Sequence, residues 1–200
     1  MLTKILFIAI KKKNYQKMKK QQLFKIFVTD SISLQLLTLN HTNELFTCIQ
    51  KNKEFLSEWL AWVKKVKNVK DSEKKILKDQ DDFYKKDSLE LEIFENNKLI
   101  GRIGFISISE RSAEIGYWLD KDFNGKGIMT TCVKKLVEYA FNETSIFRIE
   151  IKMDPKNTKS KNIPERAGFF YEGRKRGDVF VKGEPRDSLV YSYVKTDLLK

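Results

Sequence analysis

Two hundred residues can enclose one domain with a proper core, and a chain that is 41% hydrophobic and 12% aromatic is composed like an ordinary globular protein. The net charge of +12 suggests nucleic acid at first, but the first 29 residues hold eight lysines and no acid, which leaves only +4 dispersed over the rest. That distribution argues against nucleic acid as the primary ligand, and a phosphate-bearing partner fits it equally well. Cys48 and Cys132 have no metal-ligand spacing and allow at most one disulfide, so no metal is expected and a reducing cytoplasm is. The apolar run Ile5 to Ile10 is too short for a secretory signal and is followed by Lys11, Lys12 and Lys13. Nothing is long enough to span a membrane. Residues 1–23 read as a basic N-terminal extension, with Met18 as an alternative start, and 24–197 as one domain.

Residues 24–39 read as two strands about a turn at Asp30–Ser31. Asn40 to Asn52 is expected to be helical, with Leu45, Phe46 and Ile49 on one face. The stripe Phe55, Leu56, Trp59, Leu60, Val63 and Val66 predicts an amphipathic helix over 53–66, in which Trp59 and Trp62 serve the core or floor a substrate groove. A charged surface helix follows over 71–86. Leu89, Leu91 and Ile93 alternate with acids as in a half-buried strand; Asn96–Asn97 signals a turn, and Leu99 to Ile108 returns as its partner. Ala113 to Leu119 adds a third strand.

After a loop, the strongest helical pattern begins at Ile128 and runs to Phe141, with Cys132 inside its apolar stripe and therefore read as core. Ile149, Ile151 and Met153 alternate as another strand. A short helix spans about Thr158 to Ala167, closed by Gly168, with Pro164 as a local conflict. Strands at about Phe169–Arg176 and Leu189–Val194 close the chain. The sum is an α+β domain: helices packed on a mixed, mostly antiparallel sheet. His41, far from the later motifs, reads as a surface or capping residue.

Two segments carry chemistry. In Glu114 to Thr131, EIGYWLDKDFNGKGIMTT, a strand enters a loop with Gly125 and Gly127, and the loop enters a helix. Glycines admit an anion close to the backbone, the first helical N–H groups are unpaired, and Lys126 adds a cation. This describes a phosphate cradle, or else a tight turn; it is neither a P-loop nor a G-x-G-x-x-G fingerprint. In Asp154 to Phe169, DPKNTKSKNIPERAGF, Asn157 and Ser160 sit at a strand-to-helix junction, where such side chains usually cap N–H groups.

Together these segments resemble the GCN5-related N-acetyltransferase (GNAT) superfamily, in particular its ribosomal-protein N-terminal acetyltransferases. The matching runs are Ala113–Leu119, Asn124–Ile128, Asn157–Phe169 and Glu172–Arg176, with NKEFLSEWLAWV at Asn52–Val63 similar to that branch's substrate-side helices. The resemblance implies the GNAT fold and acetyl transfer from acetyl-CoA to a primary amine, foremost the N-terminal α-amine of a ribosomal protein. It implies that backbone amides of Gly125, Lys126, Gly127, Ile128, Met129 and Thr130 hold the pyrophosphate. The main chain at Trp118 and Leu119 would bind the pantetheine arm, with Asn157 also touching the coenzyme. Asn124 stands where the family has Gln or Arg, one methylene shorter than Gln. Pro164 stands where many members have a general-acid Tyr, which leaves Ser160 as the hydroxyl at that junction.

Glu114 is the nearest matched carboxylate and is either the base or the partner of a basic side chain. An α-amine has a pKa of about 7.7–8.0 against about 10.4 for lysine, so an enzyme without a strong base suits α-amines. Alternatives are a small-molecule acetyltransferase (polyamine, amino acid or aminoglycoside) and a non-catalytic acetyl-CoA-binding module. The basic arm could touch ribosomal RNA weakly, although it lacks interleaved aromatics. A monomer and a homodimer are both compatible with the chain.

Overall fold

The computed structural model describes residues 24–181 and 183–199. The expected extension 1–23 and the alternative start at Met18 lie outside the described residues. The strands are β1 (Lys25–Phe27), β2 (Ile32–Gln35), β3 (Leu89–Glu95), β4 (Lys98–Ile108), β5 (Ser112–Leu119), β6 (Arg148–Met153), β7 (Phe170–Val181) and β8 (Glu184–Val194). The helices are α1 (Thr42–Lys51), α2 (Lys53–Ser57), α3 (Val69–Lys85), α4 (Ile128–Glu143) and α5 (Thr158–Ala167). One sheet runs β1-β2-β3-β4-β5-β6-β8-β7. Every pairing is antiparallel except β5 with β6, which α4 connects.

The α+β expectation holds. The sheet has two covered faces because side chains alternate along each strand. Ile93, Ile115 and Leu119 join the core that packs on Cys132, Val133, Leu136 and Phe141 of α4. Their neighbours Phe94 and Trp118 join a second core with Leu45 and Ile49 of α1, Val63, and Ile76 of α3. Cys132 is fully buried, and burial pushes its thiol up to about 12. His41 forms a capping box with Thr38, whose backbone N–H donates to His41 Nδ1 at 3.2 Å. Among the described residues no helix is long and apolar enough to cross a membrane.

Three regions depart from the sequence expectation. The helix expected over 53–66 breaks into α2 and a 3-10 turn at Ala61–Lys65, because Leu60 is extended at φ −117°, ψ 94°. Burying Leu56, Val63 and Val66 against one core does not require a continuous helix. Strand β3 is covered on both faces: Glu92 is 1% exposed and ion-paired with Arg102. Arg102 also reaches Asp79 of α3 at 2.9 Å and Glu90 at 3.2 Å, so a charged cluster seats α3 on the sheet. Burial pushes Glu92 up to about 7 against the pull of Arg102. The last two strands also extend beyond their expected limits, as a long hairpin that pairs as far as Val181 with Glu184.

Pro164 sits inside α5 without breaking it. Gly168 closes the helix at φ 89°, where the left-handed region favours glycine.

Candidate functional site

β5 and β6 pair only from Ser112↔Arg148 to Ile115↔Ile151. Beyond that point β5 stays with β4, ending at Leu119↔Gly101, while β6 stays with β8, ending at Met153↔Leu189. The two strands therefore part, and Gly116 to Leu119 have no strand partner on their β6 side. A cleft of about 1100 Å³ opens there, bounded at one end by the start of α4.

The glycine loop meets that cleft. Gly125 and Gly127 have φ of 80° and 78°, and a Cβ built on either would meet nothing within 4 Å. The backbone thus faces open space at both positions. Thr131 N–H bonds Gly127 C=O at 3.1 Å as the first rung of α4, so the N–H groups of Ile128, Met129 and Thr130 have no helical acceptor. No side chain caps this end and no acid lies in the first turn. A cap is worth about 1 kcal/mol, whereas each large buried apolar side chain is worth about 1.5–3 kcal/mol. Burial of the α4 stripe therefore holds the helix, and its N–H groups remain available to an anion. These features fit a pyrophosphate. The side chains of Ile128 and Met129 face the core, so only their main chain is available. Lys126 lies exposed, with Nζ 4.8 Å from the Phe123 ring centroid, and Asn124 opens the loop half-buried. Trp118 is buried beside the second core, and its indole N–H has no partner among the described residues.

The expected catalytic side chains are brought into the cleft but are not idle. Glu114 accepts an ion pair from Lys152 Nζ at 2.7 Å. Asn157 Oδ1 accepts from Ser160 N–H at 3.1 Å, which is the capping geometry. Ser160 Oγ donates to Tyr117 Oη at 3.1 Å.

Several cleft residues escaped the sequence reading. Tyr117 is one. Another is Arg166 of α5, whose Nε donates to Thr130 Oγ1 at 3.3 Å and places a cation beside the start of α4. Phe55 also lines the cleft, with Asp178 and Phe180 of the β7–β8 hairpin. Of the two tryptophans expected in the core or on a groove floor, Trp59 is a half-exposed wall of the cleft, and Trp62 packs against the second core. Only Pro164 gave a signal for Tyr117: a proline inside a helix leaves one carbonyl in want of a donor. Among the described residues no group of three His, Cys, Asp or Glu could hold a metal ion.

Comparison with known proteins agrees with this architecture. The family described as Acetyltransferase (GNAT) domain matches residues 32–170. The protein YdaF of Bacillus subtilis (strain 168) is 32% identical over 178 residues, covering 88% of this chain and 97% of its own. The ribosomal-protein-serine acetyltransferase of Escherichia coli (strain K12) is 29% identical over 171 residues, covering 84% and 96%. Among solved structures, the microcin C7 self-immunity acetyltransferase MccE in complex with acetyl-CoA and AMP superposes with a TM-score of 0.81 at 34% identity, covering 84% of this chain and 94% of that one. RimL, the ribosomal L7/L12 alpha-N-protein acetyltransferase in complex with coenzyme A, gives 0.82 at 26% identity, covering 86% and 98%. With this family match laid over the parted strands and the glycine-started helix, the chain belongs to the GNAT acetyltransferase family and is an acetyl-CoA-dependent N-acetyltransferase.

Proposed function

We propose that this enzyme acetylates the N-terminal α-amine of a ribosomal protein. Bound acetyl-CoA supplies an acyl thioester that an amine attacks directly. In this reading the amides of Gly125 to Thr130 hold the pyrophosphate, with Asn124, Lys126 and Arg166 beside it. The β5 main chain at Trp118 and Leu119 and the Asn157 side chain hold the arm. Ser160 Oγ gives a proton to the departing thiolate, whose conjugate acid should resemble a thiol near pKa 8.5, and regains one from solvent as the attacking nitrogen loses its own.

The observation that carries the choice of acceptor is the commitment of Glu114. Its carboxylate is held by Lys152 in an ion pair, which disfavours it as the base that a lysine-type amine would demand. An α-amine is already substantially neutral near pH 7.5. The Escherichia coli ribosomal-protein-serine acetyltransferase and RimL, the ribosomal L7/L12 alpha-N-protein acetyltransferase, support the same acceptor by their similarity.

A small-molecule acceptor is the second reading. Phe55, Trp59 and Phe180, which all line the cleft, suit a planar ring, and the relative MccE was solved with AMP. Purified protein and acetyl-CoA are assayed by mass spectrometry against peptides with N-terminal Ser, Ala and Met, against spermidine, and against an aminoacyl nucleotide. The proposal expects kcat/KM for a peptide at least about tenfold above the others, a difference of about 1.4 kcal/mol. Preference for the nucleotide or the polyamine overturns it. Binding of acetyl-CoA with no turnover of any amine points to a non-catalytic module.

A further inference from the structure

Helix α5 carries a proline in its body, and that proline has a consequence across the fold. In an α-helix the N–H of residue 164 would donate to the carbonyl of Ser160. Pro164 has no N–H, so that rung is missing. The donor that meets the Ser160 carbonyl comes from another element: Tyr117 Oη of β5 donates to it at 3.1 Å, from 43 residues away. The same phenol accepts from Ser160 Oγ at 3.1 Å. One hydroxyl therefore makes two bonds to one residue, and their directions are fixed by each other. With its only proton spent on the carbonyl, Tyr117 can serve the serine hydroxyl as acceptor alone.

The location adds to this. Tyr117 follows the last β5–β6 pair, Ile115↔Ile151, by two residues and points to the same face as Ile115. It is thus a strut from the parted edge of β5 to α5, and both Tyr117 and Ser160 line the cleft. Desolvation by burial pushes the phenol well above its ordinary pKa, so it keeps its proton and remains a donor to the carbonyl. Without the strut, a serine on a helix turns its hydroxyl back onto a carbonyl of the preceding turn. The acceptor on Tyr117 competes with that local bond and keeps Oγ on the cleft side in the resting enzyme; to protonate the departing thiolate, the Ser160 O–H turns from Tyr117 Oη to the sulfur, Oγ staying in place.

We propose that Tyr117 supplies the helix hydrogen bond that Pro164 removed and, through the same hydroxyl, holds Ser160 Oγ in the acetyl-CoA cleft as a positioning residue for acetyl transfer. The second half rests on the reading of Ser160 as proton donor given above; the first half does not.

The test uses the full chain with Tyr117→Phe, Pro164→Ala and Ser160→Ala, singly and in pairs with Tyr117→Phe, reading melting temperature, kcat and the KM for acetyl-CoA. Phenylalanine keeps the ring packing, so the fold is retained. Ser160→Ala is expected to lower kcat about ten- to a hundredfold, within the range of a weak positioned acid. Tyr117→Phe lowers the melting temperature by about 2–4 °C, the shift of a single interaction in a domain of this size. It also lowers kcat by no more than Ser160→Ala does, with KM nearly unchanged. In the Pro164→Ala background the backbone N–H at position 164 takes over the carbonyl. Tyr117→Phe then costs little melting temperature but still lowers kcat. In the Ser160→Ala background Tyr117→Phe lowers kcat no further.

An equal melting loss from Tyr117→Phe with either residue at 164 overturns the helix half. A kcat loss from Tyr117→Phe that multiplies with that of Ser160→Ala overturns the positioning half. A normal kcat in Ser160→Ala ends the proton-donor reading and the positioning half with it. The thermal coupling between positions 117 and 164 still decides the helix half.

Discussion

Gly127 begins α4 at φ 78° with open space where a side chain would stand. A residue with a Cβ there meets no clash in the free protein, so its effects separate into backbone strain and interference with a ligand. The left-handed conformation costs a non-glycine residue about 1–2 kcal/mol. A carboxylate at a helix N-terminus returns about 0.3–1 kcal/mol through the dipole. Gly127→Glu should therefore lower stability only slightly, less than Gly127→Ala does. By calorimetry it should weaken acetyl-CoA binding at least about tenfold, a loss of about 1.4 kcal/mol, because the new charge occupies the place of the phosphates. Gly127→Ala controls for strain. Unchanged affinity in Gly127→Glu would remove the cradle from this loop.

Between elements, the loop that precedes the cradle is fixed from the far side of the sheet. Asn52, 1% exposed at the end of α1, donates from Nδ2 to Cys48 C=O at 3.0 Å and accepts at Oδ1 from Lys121 N–H at 3.0 Å. Lys51 Nζ lies 2.6 Å from both Asp120 Oδ2 and Asp122 Oδ2. The end of α1, which itself does not line the cleft, thus anchors the loop that leads to the cradle. Asn52→Ala leaves the Lys121 N–H and the Cys48 carbonyl without their side-chain partner, which typically costs about 1–3 kcal/mol. We expect urea unfolding to report that loss together with a raised KM for acetyl-CoA. Lost stability with an unchanged KM would show that the lysine pairs alone hold the loop.

At the scale of the whole molecule, the β7–β8 hairpin is attached through a row of charges across three strands. Arg148 of β6 reaches Glu172 of β7, with NH1 to Oε1 and NH2 to Oε2 both at 2.7 Å. Ser192 Oγ of β8 donates to Glu172 at 2.6 Å. The Arg148 bonds first, then that from Ser192, hold the Glu172 carboxyl down at about 2. A carboxyl whose folded pKa lies below its unfolded value of about 4.3 adds stability above the unfolded value and loses it as pH falls toward the folded one. The loss therefore falls between about pH 4.3 and 2. Both side chains are about a third exposed, so salt screens part of the effect. Unfolding followed at pH 5, 3.5 and 2.5 should show a shallower acid decline in Glu172→Gln than in the parent chain. Parallel curves would mean that other carboxyls govern acid unfolding.

The order of elements and the place of the cradle were legible in the sequence because they rest on local physics. Alternation marked β3 to β6, the 3.6-residue stripe marked α4, and Gly125 and Gly127 marked the loop between strand and helix. Asn157 and Ser160 could be placed at a helix start, although capping and catalysis looked alike from there. What the sequence could not disclose depends on which distant residues meet. The stripe over 53–66 showed which side chains are buried but not that the backbone leaves the helix at Leu60. The end strands did not reveal a hairpin long enough to bring Phe180 to the cleft. The partner of Glu114 was fixed only when the β5–β6 register placed Lys152 beside it. The answer to Pro164 lay 43 residues earlier, on a strand whose parting from its neighbour carries Tyr117 to α5. Periodicity and turn chemistry are set by residues a few positions apart, whereas strand register and strand parting are set by the packing of the whole sheet between its helices, and the reacting groups are positioned by the latter.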